Sequence, residues 1–211
     1  GMSPTAWPEG LRAAVGTRAF ARQLRDVLAR TRQLNLDAEI LARLASEAGD
    51  EGFVAAAAFM EEYLTVGDFS GHLDYAELVY RTRLLLQEPQ VADAVRASFD
   101  AMIVDDAQEL DPSQGSLIAD VARAGVPVLA LGDPHQSIGW YRGASATALR
   151  DLARATDAEV LTLTDGFRLG DSLGAAVASL GTRLGARDAA PDPRPARDGG
   201  TVDVRVFDDV S

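Results

Sequence analysis

Two adjacent carboxylates, Asp105 and Asp106, follow directly on a short apolar run at 101–104. Side by side at a strand end, such groups repel each other, which is costly unless a cation neutralises them. A hard ion such as Mg2+ with bound phosphate is the natural partner. A second apolar run, 126–131, leads into Gly132-Asp133-Pro134-His135-Gln136-Ser137 and then Ile138-Gly139-Trp140-Tyr141-Arg142-Gly143-Ala144. A third, 160–163, leads into Thr164-Asp165-Gly166-Phe167-Arg168. As neighbouring parallel strands, the three runs bring acids, an amide, aromatic rings and guanidinium groups to one edge, where open α/β sheets bind their ligands.

The intervening stretches, near 112–124 and 144–156, have helical spacing. Strand–helix–strand alternation of this length implies right-handed crossovers and a parallel sheet. A helix at about 171–186 comes next, then a stretch at 188–200 rich in Asp, Pro, Ala, Arg and Gly that reads as a surface linker, and 201–207 alternates like another strand. A strand so near the last residue implies continuation in a larger protein. Before residue 100 nothing alternates with period two, so only helices are expected. Thr17 is the expected N-cap of the first, whose apolar face carries Phe20, Leu24, Val27, Leu28 and Leu34. Asn35 is the expected cap of the second, which carries Ile40, Leu41 and Leu44 and closes at Gly49-Asp50. An Ala-rich helix over 52–65, a loop at 67–71 and a helix over 73–87 complete this part.

The 211 residues are 47% hydrophobic and 25% charged, which excludes a disordered or collagen-like chain. All twenty basic residues are Arg. A phosphate-binding lysine and a Schiff base are therefore excluded from this stretch of chain. So is a receiver-type phosphorylation site, which also pairs acids at a strand tip but needs a lysine. No cysteine is present, which rules out disulfides, zinc ribbons and thiol nucleophiles. The longest apolar run, 53–60, is too short to span a membrane, so a soluble, cytoplasmic protein is expected. The net charge is −12, and 51–120 carries three Arg against fourteen acids. That is no general nucleic-acid mat, and weak DNA affinity is expected of these residues alone.

Plainer readings compete with each chemical one. Taken alone, Asp105 and Asp106 fit a solvated strand end; the 132–144 segment downstream favours the metal reading. Arg18, Arg22, Arg25 and Arg32 share a helix face that reads first as solvated, with duplex contact as the alternative. Trp140 and Tyr141 fit a core, yet the polar residues before them and the Arg-Gly after favour exposure.

The 132–144 segment resembles motif III of superfamily 1 DNA helicases of the UvrD/Rep/PcrA type, Gly-Asp-x-x-Gln-Ser-Ile-x-x-aromatic-Arg-Gly-Ala, along its full length. Asp105-Asp106-Ala107-Gln108 resembles motif II, usually Asp-Glu-x-Gln, and Leu163 to Arg168 resembles motif IV, Leu-x-x-Asn-Tyr-Arg. Leu73-Asp74-Tyr75-Ala76-Glu77-Leu78 resembles the helix before motif II. The likeness is strong over about 73–170. The Arg-rich, Lys-free composition and the Asp-Asp-Ala-Gln variant resemble the actinobacterial Adn-type branch.

The resemblance implies a partial RecA-like sheet of the P-loop NTPase type, with a helical, 1B-like subdomain at 1–72, the second half of the first RecA-like domain at 73–164, and the start of the second at 165–211. It implies ATP as substrate, Mg2+ as cofactor, and 3′-to-5′ movement on single-stranded DNA in repair or recombination. Asp105 would hold Mg2+ and Asp106 orient the attacking water; Gln136 would sense the γ-phosphate, Phe167 stack on adenine and Arg168 serve as arginine finger. Tyr141 would stack on a DNA base, with Trp140 as alternative and Arg142 beside them. Implied partners are single-stranded and duplex DNA, the remaining helicase domains of the same chain and a second helicase–nuclease subunit, with no membrane. The sequence departs from the family at Asp106 for Glu, Gly139 for Tyr and Gly166 for Asn. Motif I and motifs V and VI are not within these residues, so this stretch alone is expected not to hydrolyse ATP. The alternative is a degenerate, non-catalytic helicase-like scaffold or binding module.

Overall fold

A computed structural model describes residues 6–70, 74–181, 183 and 194–203. Helices alone precede residue 100 among them: α1 (Glu9–Arg12), α2 (Arg18–Gln33), α3 (Ala38–Ala48), α4 (Glu51–Ser70), α5 (Tyr75–Leu85) and α6 (Pro89–Ser98). Strand β1 (Met102–Val104), α7 (Pro112–Arg123), β2 (Val128–Ala130), α8 (Ala148–Thr156), β3 (Asp165–Gly170), α9 (Asp171–Gly181) and β4 (Arg194–Arg197) follow. The molecule is helix-rich α/β. As expected, β1 and β2 pair in parallel, Ile103 facing Leu129 in register, with α7 as the crossover.

Local signals explain most boundaries. The Thr17 side chain accepts the Phe20 N–H and starts α2, while Gly49 takes the left-handed conformation that closes α3, at φ 70°. Asp111 caps α7 in a reciprocal box with Gln114, next to Pro112 in the first turn.

The small sheet is covered on one face. Met102, Val104, Val128 and Ala130 pack against Ile118, Ala119 and Leu152 of α7 and α8. A neighbouring cluster of Leu86, Val121 and Val126 shares Met102 with it and adds Val95 and Leu117. On the other face Ile103 is 68% and Leu129 53% exposed. The helical part has its own core of Leu28, Ala38 and Met60, flanked by Phe59 and Leu64.

Several expectations need correction. Asn35 does not cap α3; Asp37 does, accepting the Ile40 N–H. Asn35 sits at φ 60° and its amide donates to Pro112 O and Ser116 Oγ while accepting from Arg83, so it ties α2 to α5 and α7. Helix α4 runs to Ser70, so 67–70 of the expected 67–71 loop are helical, and 71 lies outside the described residues. Arg32 is not on a solvated face: it is buried, ion-paired with Glu77 at 2.7 Å and set 4.0 Å over the Tyr80 ring. The 160–163 run forms no strand and lies exposed, because the extended partner available, β4, runs beside 165–170 instead. That β4 falls inside the stretch read as linker. Of the 201–207 strand, 201–203 has no regular structure and 204–207 lies outside the described residues.

Candidate functional site

The tip of β1 is built by its own backbone. Leu131 N donates to Val104 O and Ala107 N to Leu131 O, both at 2.8 Å, so the chain beyond β1 stays laced to the end of β2. Ala107 is fully buried, and the turn over it leaves Asp105 and Asp106 exposed. Asp105 Oδ1 accepts the Asp106 N–H at 2.9 Å. Asp106 sits at φ 50°, in the left-handed region that Asp tolerates better than most side chains and that recurs at functional sites.

Gln108 joins the two strand tips. Its buried amide donates to Asp106 Oδ1 at 3.2 Å and accepts the Asp133 N–H at 3.1 Å. Its backbone carbonyl accepts Ser137 Oγ–H at 3.1 Å. Gly132 makes the room: a Cβ there would lie 2.6 Å from Gln108 Oε1 and 2.9 Å from Leu149 Cδ1. Asp133 caps the next turn through the His135 N–H and accepts the Gln136 amide at 2.7 Å. A hydrogen-bonded path therefore runs Asp106–Gln108–Asp133–Gln136 across both tips.

The turn at Gly139–Arg142 presents the aromatic pair, with Trp140 79% and Tyr141 73% exposed, as expected. Glu109, which sequence reasoning passed over, fastens this turn. Its Oε1 accepts the Ile138 N–H at 2.7 Å and its Oε2 pairs with Arg142 at 3.0 Å. The Ile138 N–H chiefly holds the Glu109 carboxyl below the usual range, helped by Arg142 and the Gly139 N–H and opposed by partial burial. Arg142 thus spends one guanidinium nitrogen on Glu109, and its carbonyl accepts the Gln33 amide of α2 at 3.2 Å. Gly143 ends the turn at φ 107°, where a Cβ would also meet Gln33 and Arg30.

The third segment is not brought to this edge. Phe167 and Arg168 lie exposed on β3, which pairs with β4 in a separate sheet. Neither shares a hydrogen bond or ion pair with Asp105, Asp106 or Gln136 among the described contacts, and residues 157–164 between α8 and β3 carry no regular structure.

The donor set suits an ion that keeps most of its own shell. Among the described residues no three His, Asp or Glu side chains converge into a protein cage. The exposed Asp105–Asp106 pair fits Mg2+, which dehydrates reluctantly and takes one or two carboxylates beside water and phosphate oxygens. No helix of the described residues is long and apolar enough to cross a membrane.

Over 144 aligned residues the chain is 33% identical to an ATP-dependent helicase/nuclease subunit of Lacticaseibacillus casei strain BL23 and, equally, to its namesake in Lacticaseibacillus paracasei strain ATCC 334. The alignment covers 60% of this chain and 12% of each relative, so the chain spans a small part of their length. Residues 9–157 match the UvrD/REP helicase N-terminal domain, and the chain, with both strand tips and the aromatic turn inside that match, belongs to this family.

Proposed function

We propose that the intact protein is an ATP-dependent DNA translocase whose nucleotide site includes the tips of β1 and β2. The observation that carries this reading is the path Asp106–Gln108–Asp133–Gln136, which links the acidic pair to the segment bearing Tyr141 and Trp140. A group that responds to nucleotide and a group that grips DNA are then parts of one hydrogen-bonded unit.

In this reading Asp105 holds Mg2+, which when bound neutralises phosphate charge and orients the terminal phosphoryl group. Asp106 orients the attacking water; its arm is one methylene shorter than the family's usual Glu, and Gln108 fixes its direction. Gln136 senses the γ-phosphate from its exposed position. Tyr141, with Trp140 as alternative, stacks on single-stranded bases without regard to sequence. Phe167 and Arg168 approach the nucleotide from the second sheet, which requires the 157–164 connection to act as the joint between two RecA-like domains. The division into 1–72, 73–164 and 165–211 is part of the same reading, supported by the start of a separate sheet at Asp165. Parallel sheets are normally covered on both faces. The bare Ile103–Leu129 face supports a larger RecA-like sheet, with further elements of the intact protein over it. The chain has no lysine, so the phosphate-binding lysine of motif I belongs outside these residues, and the 211-residue chain by itself is inactive. We extend to it 3′-to-5′ polarity, a cytoplasmic location and, from the relatives' printed name, a nuclease-bearing assembly.

The short Asp106 and the glycines at 139 and 166, where the family usually has Tyr and Asn, favour a second reading, a binding module without turnover. ATP hydrolysis by the intact protein, measured with and without oligo-dT, separates the two. Turnover that rises with DNA and falls on Tyr141→Ala supports the translocase, and its absence in the wild type supports the module.

A further inference from the structure

Gly139 has no conformational reason to be glycine. Its φ is outside the left-handed region, unlike that of Gly143, which caps the same turn. What a side chain at 139 would meet first is Glu109: a Cβ would overlap its Oε2, and would also lie 3.0 Å from Arg142 Nε and 3.1 Å from Ala144 Cβ. The carboxylate fills the space that a residue larger than glycine would need. It uses that space to accept the Ile138 N–H and the Arg142 guanidinium. The Arg142 side of the ion pair is largely exposed, so the pair contributes little by itself; the charge-assisted bond to backbone is the firmer one.

Glu109 stands three residues after Asp106, in the same short turn that leaves the acidic pair exposed. The 139–142 turn that it grips carries Trp140 and Tyr141. We propose that Glu109 is a positioning residue that sets the aromatic turn against the acidic strand tip, and that Gly139 is its size-matched counterpart, admitting the carboxylate. This link is separate from the Gln108 path, because it reaches the turn beyond Ser137 rather than the Asp133 cap. The proposal rests on the translocase reading for its effect on DNA, and on geometry alone for the latch itself.

The pair makes a reciprocal test. Gly139→Ala evicts the carboxylate; Glu109→Asp retracts it; together the shorter acid leaves room for the added methyl. Two readouts are taken on the intact protein: hydrogen exchange of the 138–142 amides by mass spectrometry, and the oligo-dT concentration that half-maximally stimulates ATP hydrolysis. Gly139→Ala is expected to speed exchange of the turn and to raise the half-maximal DNA concentration roughly tenfold, the affinity worth of one misplaced base stack. The double variant is expected to recover a large part of both losses. Unchanged exchange in Gly139→Ala, or a double variant as impaired as the two single effects multiplied, overturns the latch. Faster exchange with unchanged DNA dependence overturns the positioning role and leaves the translocase reading standing. A wild type without DNA-stimulated hydrolysis overturns that reading and the positioning role with it, while exchange still reports on the latch.

Discussion

Gly132→Ala probes the joint between the two strand tips. The added methyl would sit 2.6 Å from Gln108 Oε1, 2.9 Å from Leu149 Cδ1 and 3.2 Å from the Gln108 backbone nitrogen. The first two atoms end flexible side chains and can move; the third is backbone. Moving the Gln108 amide breaks its bonds to Asp133 N and Asp106 Oδ1. Overpacking of this kind costs about 1–3 kcal/mol, and each lost hydrogen bond about 0.5–1.5 kcal/mol. Alanine also restricts the unfolded chain, which returns about 0.4–1 kcal/mol. The net expectation is a loss of about 1–5 kcal/mol, read from urea unfolding of the wild type and variant. Gln108→Ala vacates the space, so Gly132→Ala should cost at least about 1 kcal/mol less in that background, a coupling expected of groups in contact. A variant within about 0.5 kcal/mol of wild type, or effects that simply add, would refute the account of why glycine stands at 132.

Glu77→Ala strands the buried Arg32 guanidinium and should cost about 3–5 kcal/mol in urea unfolding, whereas Arg32→Met with Glu77→Leu should cost far less; equal losses would mean that packing, not the pair, matters. Asp111 is buried, which raises its carboxyl above the usual value despite the N–H groups of Gln114 and Ser113. A raised acid contributes stability that is present below its unfolded value and is lost as pH rises through the folded one. Asp111→Asn keeps the cap and removes that dependence, so its stability should vary less with pH across this window, while Asp111→Ala should lose about 0.5–2 kcal/mol with the cap; an Asn variant that tracks the wild-type profile would contradict the assignment. Glu109 is lowered instead, so its contribution is present above the usual carboxylate value and fades as pH falls through the folded one; Glu109→Gln should flatten the acid limb of the unfolding curve, and an unchanged limb would count against the Ile138 bond.

Where local chemistry decides, the residues are readable in advance. Thr17, Gly49 and the helices α2 to α5 follow from capping and periodicity, whereas α1 and α6 are not among those expected, and Asp105–Asp106 and the 132–144 segment stand at strand ends as their apolar runs imply. Distant partners decide the rest. Asn35 and Asp37 are both good caps by type, and only Arg83, Pro112 and Ser116 assign Asn35 elsewhere. Arg32 is written like its exposed helical neighbours, but Glu77, forty-five residues on, draws it into the interior. The 160–163 run has strand composition without a ladder to join, which composition does not reveal. Glu109 carries no motif of its own. Its signal is a mismatch far away, the glycine at 139 where the family usually has tyrosine, and that has meaning only once the two are seen to share one space.

The role of Asp105 decides most directly between a nucleotide site and a solvated strand end. Turnover of Mg-ATP by the intact protein with saturating oligo-dT, compared between wild type and Asp105→Asn, measures it. The account predicts DNA-dependent hydrolysis in the wild type and a fall of roughly a hundredfold or more in the variant, as removal of a key electrostatic stabiliser produces, with the thermal unfolding midpoint unchanged. A correctly folded Asp105→Asn protein that hydrolyses ATP at the wild-type rate would contradict it.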